Sequence, residues 1–216
     1  MSLTLYMHPL ASYCWKTQIA LYENATPFTP HVVNLGDAGE AAAFKKIWPI
    51  GKFPVLVDAA RDVTVPESSI IIEYLTQHYP GRVALVPSDP DEARRVRLTD
   101  RFYDLHVHEH MQRIVFDRLR PKDAKDPLSV EQARAALGVA YGMIEADMAR
   151  KTWASGDTFT MADCAASPAL YYANEVEPFG AGRPQVKAYF ARLLARPSFK
   201  RVLEEAGPYM QYFPRE

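Results

Sequence analysis

The sequence predicts a small α/β domain over residues 1–80, a linker over 81–90 and an all-helical domain over 91–216. Three observations predict it. Alternating and helical apolar spacings interleave in the order β-α-β-α-β-β-α across about the first 80 residues. The run from Pro80-Gly81 to Ser88-Asp89-Pro90 then interrupts every periodicity. Beyond it, only helical spacing recurs.

Each element has its own reason. Leu3, Leu5 and Met7 alternate as one face of a short strand, and residues 13–24 carry apolar positions at helical spacing. Strand character returns over 28–34 behind Pro27 and Pro30, and the alanine-rich 38–47, ending in Phe44 and Ile47, predicts a short helix. Residues 53–57 and 62–65 predict a hairpin around Ala59-Ala60-Arg61, and 68–78 a helix with Ile71, Ile72 and Leu75 inward. A βαβ crossover followed by a hairpin implies a mixed sheet, since crossovers bring strands parallel and hairpins do not. After the linker, 91–119 predicts one long helix with acid at its N-terminus, 121–127 a charged loop and 129–148 a helix. Thr160-Met161-Ala162-Asp163 has the form of a capping box ahead of an apolar run to Tyr172, and 184–195 and 198–206 complete the set.

Composition narrows the function classes. With 216 residues, 48% hydrophobic, the chain can bury a core in each domain. A formal charge of −1 argues against nucleic acid or an anionic membrane as main partner. No apolar run approaches the roughly 20 residues that span a bilayer, and the N-terminus lacks a signal-peptide pattern. Two cysteines, Cys14 and Cys164, make no disulfide framework, so a reducing cytoplasm is expected.

The most informative stretch is 49–75. Pro54 cannot donate a ladder hydrogen bond, so it belongs at a strand start or edge, leaving the backbone of Val55 to pair with an extended peptide. Glu67 and Ser68 fall where the next helix begins, and a helix N-terminus attracts carboxylates. A peptide-binding edge beside a carboxylate pocket suits a short acidic peptide. Ser68 equally suits a plain helix cap, and Lys52 a solvated surface position.

Three motifs in this order and spacing, Gly51-Lys52-Phe53-Pro54-Val55-Leu56, Pro66-Glu67-Ser68-Ser69-Ile70-Ile71-Ile72-Glu73-Tyr74-Leu75 and Phe159-Thr160-Met161-Ala162-Asp163, resemble the glutathione S-transferase superfamily along the whole chain. The resemblance implies a thioredoxin-like first domain with a cis proline at Pro54, and glutathione as co-substrate. Glutathione would be bound by Lys52, Pro54, Val55, Glu67 and Ser68. It further implies nucleophilic attack of the bound thiol on a small hydrophobic electrophile, no metal, and a homodimer. Isomerases, peroxidases and non-catalytic interaction proteins share the same fold.

Free glutathione titrates like a cysteine, near about 8.5, so the protein must favour the thiolate. Family members do this with Ser, Tyr or Cys in the loop after the first strand, here His8-Pro9-Leu10-Ala11-Ser12-Tyr13-Cys14. Ser12, three residues after Pro9 and at the helix start, is assigned the role. Tyr13 and Cys14 are the competitors. Ala11 stands where the serine-type relatives best align their serine.

In this family the electrophile binds between the domains. Leu10, Tyr13 and the residues Tyr103, His106 and His110, which share a helix face at i, i+3 and i+7, are candidates to line that pocket; the same spacing equally suits a packed or dimer-facing stripe. His106-Val107-His108-Glu109-His110 is not His-Glu-x-x-His and lacks a third ligand, so no metal is expected.

Overall fold

The computed structural model describes residues 2–215. Four strands, β1 (Leu3–Met7), β2 (Thr29–Val32), β3 (Val55–Asp58) and β4 (Val63–Pro66), form one mixed sheet in the order β2-β1-β3-β4. β1 runs parallel to β2 and antiparallel to β3, and β3 pairs antiparallel with β4. Leu3, Leu5 and Met7 are buried and the residues between them half-buried, the alternation that the sequence predicts. The helices of this half are α1 (Ser12–Glu23), α2 (Ala38–Ile47) and α3 (Ser68–His78).

The second half is helical: α4 (Pro90–Phe102), α5 (Glu109–Leu119), α6 (Pro127–Met148), α7 (Met161–Val176), α8 (Pro184–Ala195) and α9 (Pro197–Ala206). The helix expected over 91–119 is interrupted by a π turn, Tyr103–His108. A π turn takes one more residue than an α turn, which rotates everything downstream by about 100°. Asp104 and His108 lie in that turn and face inward, whereas the single helix expected there would have placed them by an unbroken 3.6-residue period. None of the described helices is long and apolar enough to cross a membrane.

The two halves share α1. It packs against α3 on the sheet side and against α7 and α9 on the helical side, so its residues from Cys14 to Leu21 are buried throughout. Trp15 sits at the centre, its ring against Tyr171, Tyr172 and Phe199, its Nε1 donating to the Pro9 carbonyl at 2.6 Å. Behind it, α7 begins with the capping box foreseen at Thr160 and Asp163. Asp163 accepts from the Thr160 amide at 2.9 Å, the Ala154 amide at 2.8 Å and the Tyr189 hydroxyl at 2.7 Å, all buried. Asp163→Ala leaves those three donors without an acceptor. Its urea midpoint is expected to fall by the equivalent of roughly 3–5 kcal/mol.

Candidate functional site

A cavity of about 480 Å³ opens where the start of α3, the loop before β3 and the inner face of α4 meet. Lys52, Phe53, Pro54, Glu67 and Ser68 line it, so the two halves of the 49–75 motif converge as the sequence predicts. The Phe53–Pro54 peptide is cis. Glu67 precedes α3 at φ +70°, a region that is costly for any residue but glycine and that occurs disproportionately at binding sites. No side chain among the described residues caps α3, and the same holds for α1, whose N-cap is Ala11. By contrast α2, α4 and α6 are closed by Asp37, Asp89 and Asp126. Two helix starts with unsatisfied N–H groups therefore stand where an anion could be received.

Other predicted positions need correction. Val55 is not at a free edge: it is buried and sits between Tyr6 of β1 and Pro66 of β4, because the hairpin partner occupies the side left open in the sequence reading. Phe53, before the cis proline, takes its place on the wall. Ser12 is 8% exposed and lies off the cavity lining, because it opens α1 with its neighbour Tyr13 turned to the wall instead. Burial and the nearby Asp104 and Glu109 carboxylates push the Tyr13 phenol upward, so it remains a neutral hydroxyl donor. Cys14 is fully buried and its thiol pushed up to about 12, which removes it as a nucleophile.

The residues expected to line one electrophile pocket separate. Tyr13 faces the cavity, while Tyr103, His106 and His110 share a groove of about 870 Å³ between α4 and α6, away from the first loop. Leu10 is engaged through its backbone: its carbonyl accepts from the Tyr172 hydroxyl at 2.9 Å and its amide donates to His8 Nδ1 at 3.2 Å.

Sequence reasoning missed the floor of the cavity. Ser69, Asp100 and Asp104 line it, and behind them Lys16 of α1 is 1% exposed, its ammonium 2.7 Å from Asp100 and 2.8 Å from Asp104. Lys16 is followed by Thr17 and Gln18, so nothing in the spacing of α1 marks it as buried. Beside this cluster, Glu73 holds Arg97 in a bidentate pair at 2.7 and 2.8 Å, which lowers the Glu73 carboxyl. His108 lies beneath Tyr13, ring centroids 4.3 Å apart, with its Nδ1 unpartnered.

Comparison with known proteins bears on this geometry. The sequence model of the glutathione S-transferase N-terminal domain matches residues 5–83, and that of the C-terminal domain matches residues 107–197. Glutathione S-transferase 3 of Zea mays is 31% identical over 93% of this chain and 93% of its own. A stringent starvation protein A homolog of Pasteurella multocida and FtsZ-localized protein A of Caulobacter vibrioides are each 28% identical over 95% of this chain and 92% of theirs. In fold, the glutathione transferase URE2P8 of Phanerochaete chrysosporium, solved with oxidized glutathione, matches with a TM-score of 0.86 at 20% identity, over 100% of this chain and 98% of its own. This chain belongs to the glutathione S-transferase superfamily.

Burial, with Lys16 adding to it, pushes the His108 imidazole down to about 4. An unfolded histidine titrates near about 6.5, so between those values the unfolded chain binds a proton that the folded chain refuses. The stability that goes with a neutral His108 is complete above about pH 6.5 and lost progressively below it, by about 3 kcal/mol at pH 4. Urea unfolding of His108→Phe at successive pH values is expected to show a flatter decline than the native protein over this window.

Proposed function

We propose that this protein is a glutathione transferase, binding glutathione in the cavity at the start of α3 and directing its thiol at a small hydrophobic electrophile. The observation that carries the reading is the convergence of Lys52, the cis Phe53–Pro54 peptide, Glu67 and Ser68 on one wall around an uncapped helix start. The γ-glutamyl carboxylate meets the Ser68 hydroxyl and the free amides of α3, Glu67 faces the adjacent ammonium, and Lys52 serves a second carboxylate as a point charge. The thiol lies toward the uncapped start of α1. There the Tyr13 hydroxyl donates to the thiolate, and the dipole of a buried helix favours the anion. Catalysis is positioning plus stabilisation of that anion, and the chemistry requires no metal.

A cytoplasmic setting fits the two unpaired, buried cysteines. A homodimer fits the surface. The groove between α4 and α6 is flanked by exposed Leu98, Val139 and Met143, while the first half presents Ile50, 62% exposed, and Ile70. Each patch is unpartnered in one chain, and stacking the first half of one copy on the helical half of another covers both. A second reading, a non-catalytic interaction protein, is favoured by Ala11 at the α1 N-cap and by the equal likeness to stringent starvation protein A and FtsZ-localized protein A.

Thiolate absorbance titrated against pH in the glutathione complex tests the activity. A bound thiol titrating near 6–7 is expected, against about 8.5 when free, moving up by about one unit or more in Tyr13→Phe and unchanged in Ser12→Ala. Absence of glutathione binding would leave the interaction protein as the working description. Light scattering of Met143→Glu is expected to report a monomer where the native protein reports a dimer.

A further inference from the structure

The Lys16 ammonium donates to Asp104 Oδ2 at 2.8 Å and Ser69 Oγ at 2.8 Å and forms an ion pair with Asp100 Oδ1 at 2.7 Å, an oxygen that accepts no hydrogen bond. The Ser69 hydroxyl donates in turn to Asp100 Oδ2 at 2.7 Å, closing the network. Four elements meet at this one ammonium: Lys16 belongs to α1, one turn after Ser12 and Tyr13, Ser69 adjoins the ligand-facing Ser68 of α3, and the aspartates belong to α4 and the π turn. Ser69, Asp100 and Asp104 stand on the cavity wall, so the ammonium supports that wall from behind.

The charge balance is specific. Two carboxylates against one ammonium leave a single negative charge at the end of the cavity where Glu67 also stands. The other groups facing the cluster are Tyr13 from α1, Glu67 and Glu73 at α3, Arg97 and Arg101 from α4, His108 from the π turn and Cys164 from α7. Burial and Asp100 push the Asp104 carboxyl up, and Lys16 opposes them. With Lys16 gone, Arg101 alone is left to oppose the upward influences, and two adjoining buried carboxylates then favour sharing a proton.

We propose that Lys16 is a positioning residue for the glutathione site, holding Ser69 and the Asp100–Asp104 pair so that both carboxylates stay ionised toward the ligand's ammonium. The inference rests on the glutathione reading. Through Lys16, the helix that carries the thiol donor is tied to the helix start that takes the carboxylate, and ligand binding proceeds without moving a proton. In its absence the aspartate pair retains one proton, which the arriving ammonium must expel.

Calorimetric titration with S-methylglutathione, which has no ionisable thiol, isolates this end of the site. In the native protein the affinity is expected to be level between about pH 6 and 8, with a binding enthalpy independent of the buffer's own ionisation enthalpy. Lys16→Met is expected to bind about tenfold more weakly at the acid end, to recover as pH rises, and to release a proton on binding. Lys16→Met combined with Asp104→Asn leaves a single carboxylate with no titrating partner and is expected to bind at the weak acid-end level across the whole range, with no proton released. Asp104→Asn alone, which keeps the lysine, is expected to bind about tenfold more weakly across the whole range, with no proton released.

Native affinity in either single variant overturns the proposal. So does a pH-independent loss in Lys16→Met, or a double variant that still recovers as pH rises; the first would make Lys16 a structural tether only. A native protein that does not bind S-methylglutathione overturns the glutathione reading itself, and this inference with it. Binding by the native protein with unaltered variants overturns the inference alone.

Discussion

The burial of α1 is the constraint on which the rest of the molecule depends. A helix enclosed by a sheet-side neighbour and a helical domain has no solvent for its polar side chains, so each must find a partner in the protein. Lys16 donates to Ser69 and Asp104 and pairs with Asp100, Trp15 takes the Pro9 carbonyl, Thr17 turns back to the Tyr13 carbonyl, and Gln18 reaches Glu205 of α9. These partners come from the first loop, α3, α4 and α9. Satisfying the helix therefore assembles the molecule around it and brings its own uncapped start to the edge of the cavity.

The cavity inherits its character from this arrangement. Its acidic floor exists because a buried cation needs counter-charges, and its anion-attracting rim because the starts of α1 and α3 are left without side-chain caps. A single pocket can thus present both signs of charge a few ångströms apart, which suits a zwitterionic head group better than a simple acid or amine.

Much of the fold was legible because it rests on local patterns. The alternation of Leu3, Leu5 and Met7, the Glu67-Ser68 helix start and the Thr160–Asp163 capping box each declare themselves within a few residues. What escaped depends on distant partners. Lys16 reads as a surface residue until Asp104, 88 positions away, comes beside it. Val55 reads as a free edge until β4 closes over it, and the π turn has no signal in the spacing of its own apolar residues. Ser12 and Tyr13 are adjacent, so the sequence alone could not say which faced the cavity. Only the rotation at which α1 is locked, by Trp15 and Lys16 together, decides that.

The Leu10 carbonyl is held by the Tyr172 hydroxyl, 162 residues later in the chain, and Tyr172 in turn stacks on Phe213. The loop that begins the site therefore lacks this bond until Tyr172 has been made. A ribosome releasing only the sheet and its first helices would expose the recognition motif of 49–75 without the bond that sets the loop. The site is thus ordered along the chain: the first loop is completed only once Tyr172 has been made, so a chain ended before Tyr172 keeps the recognition sequence without that bond.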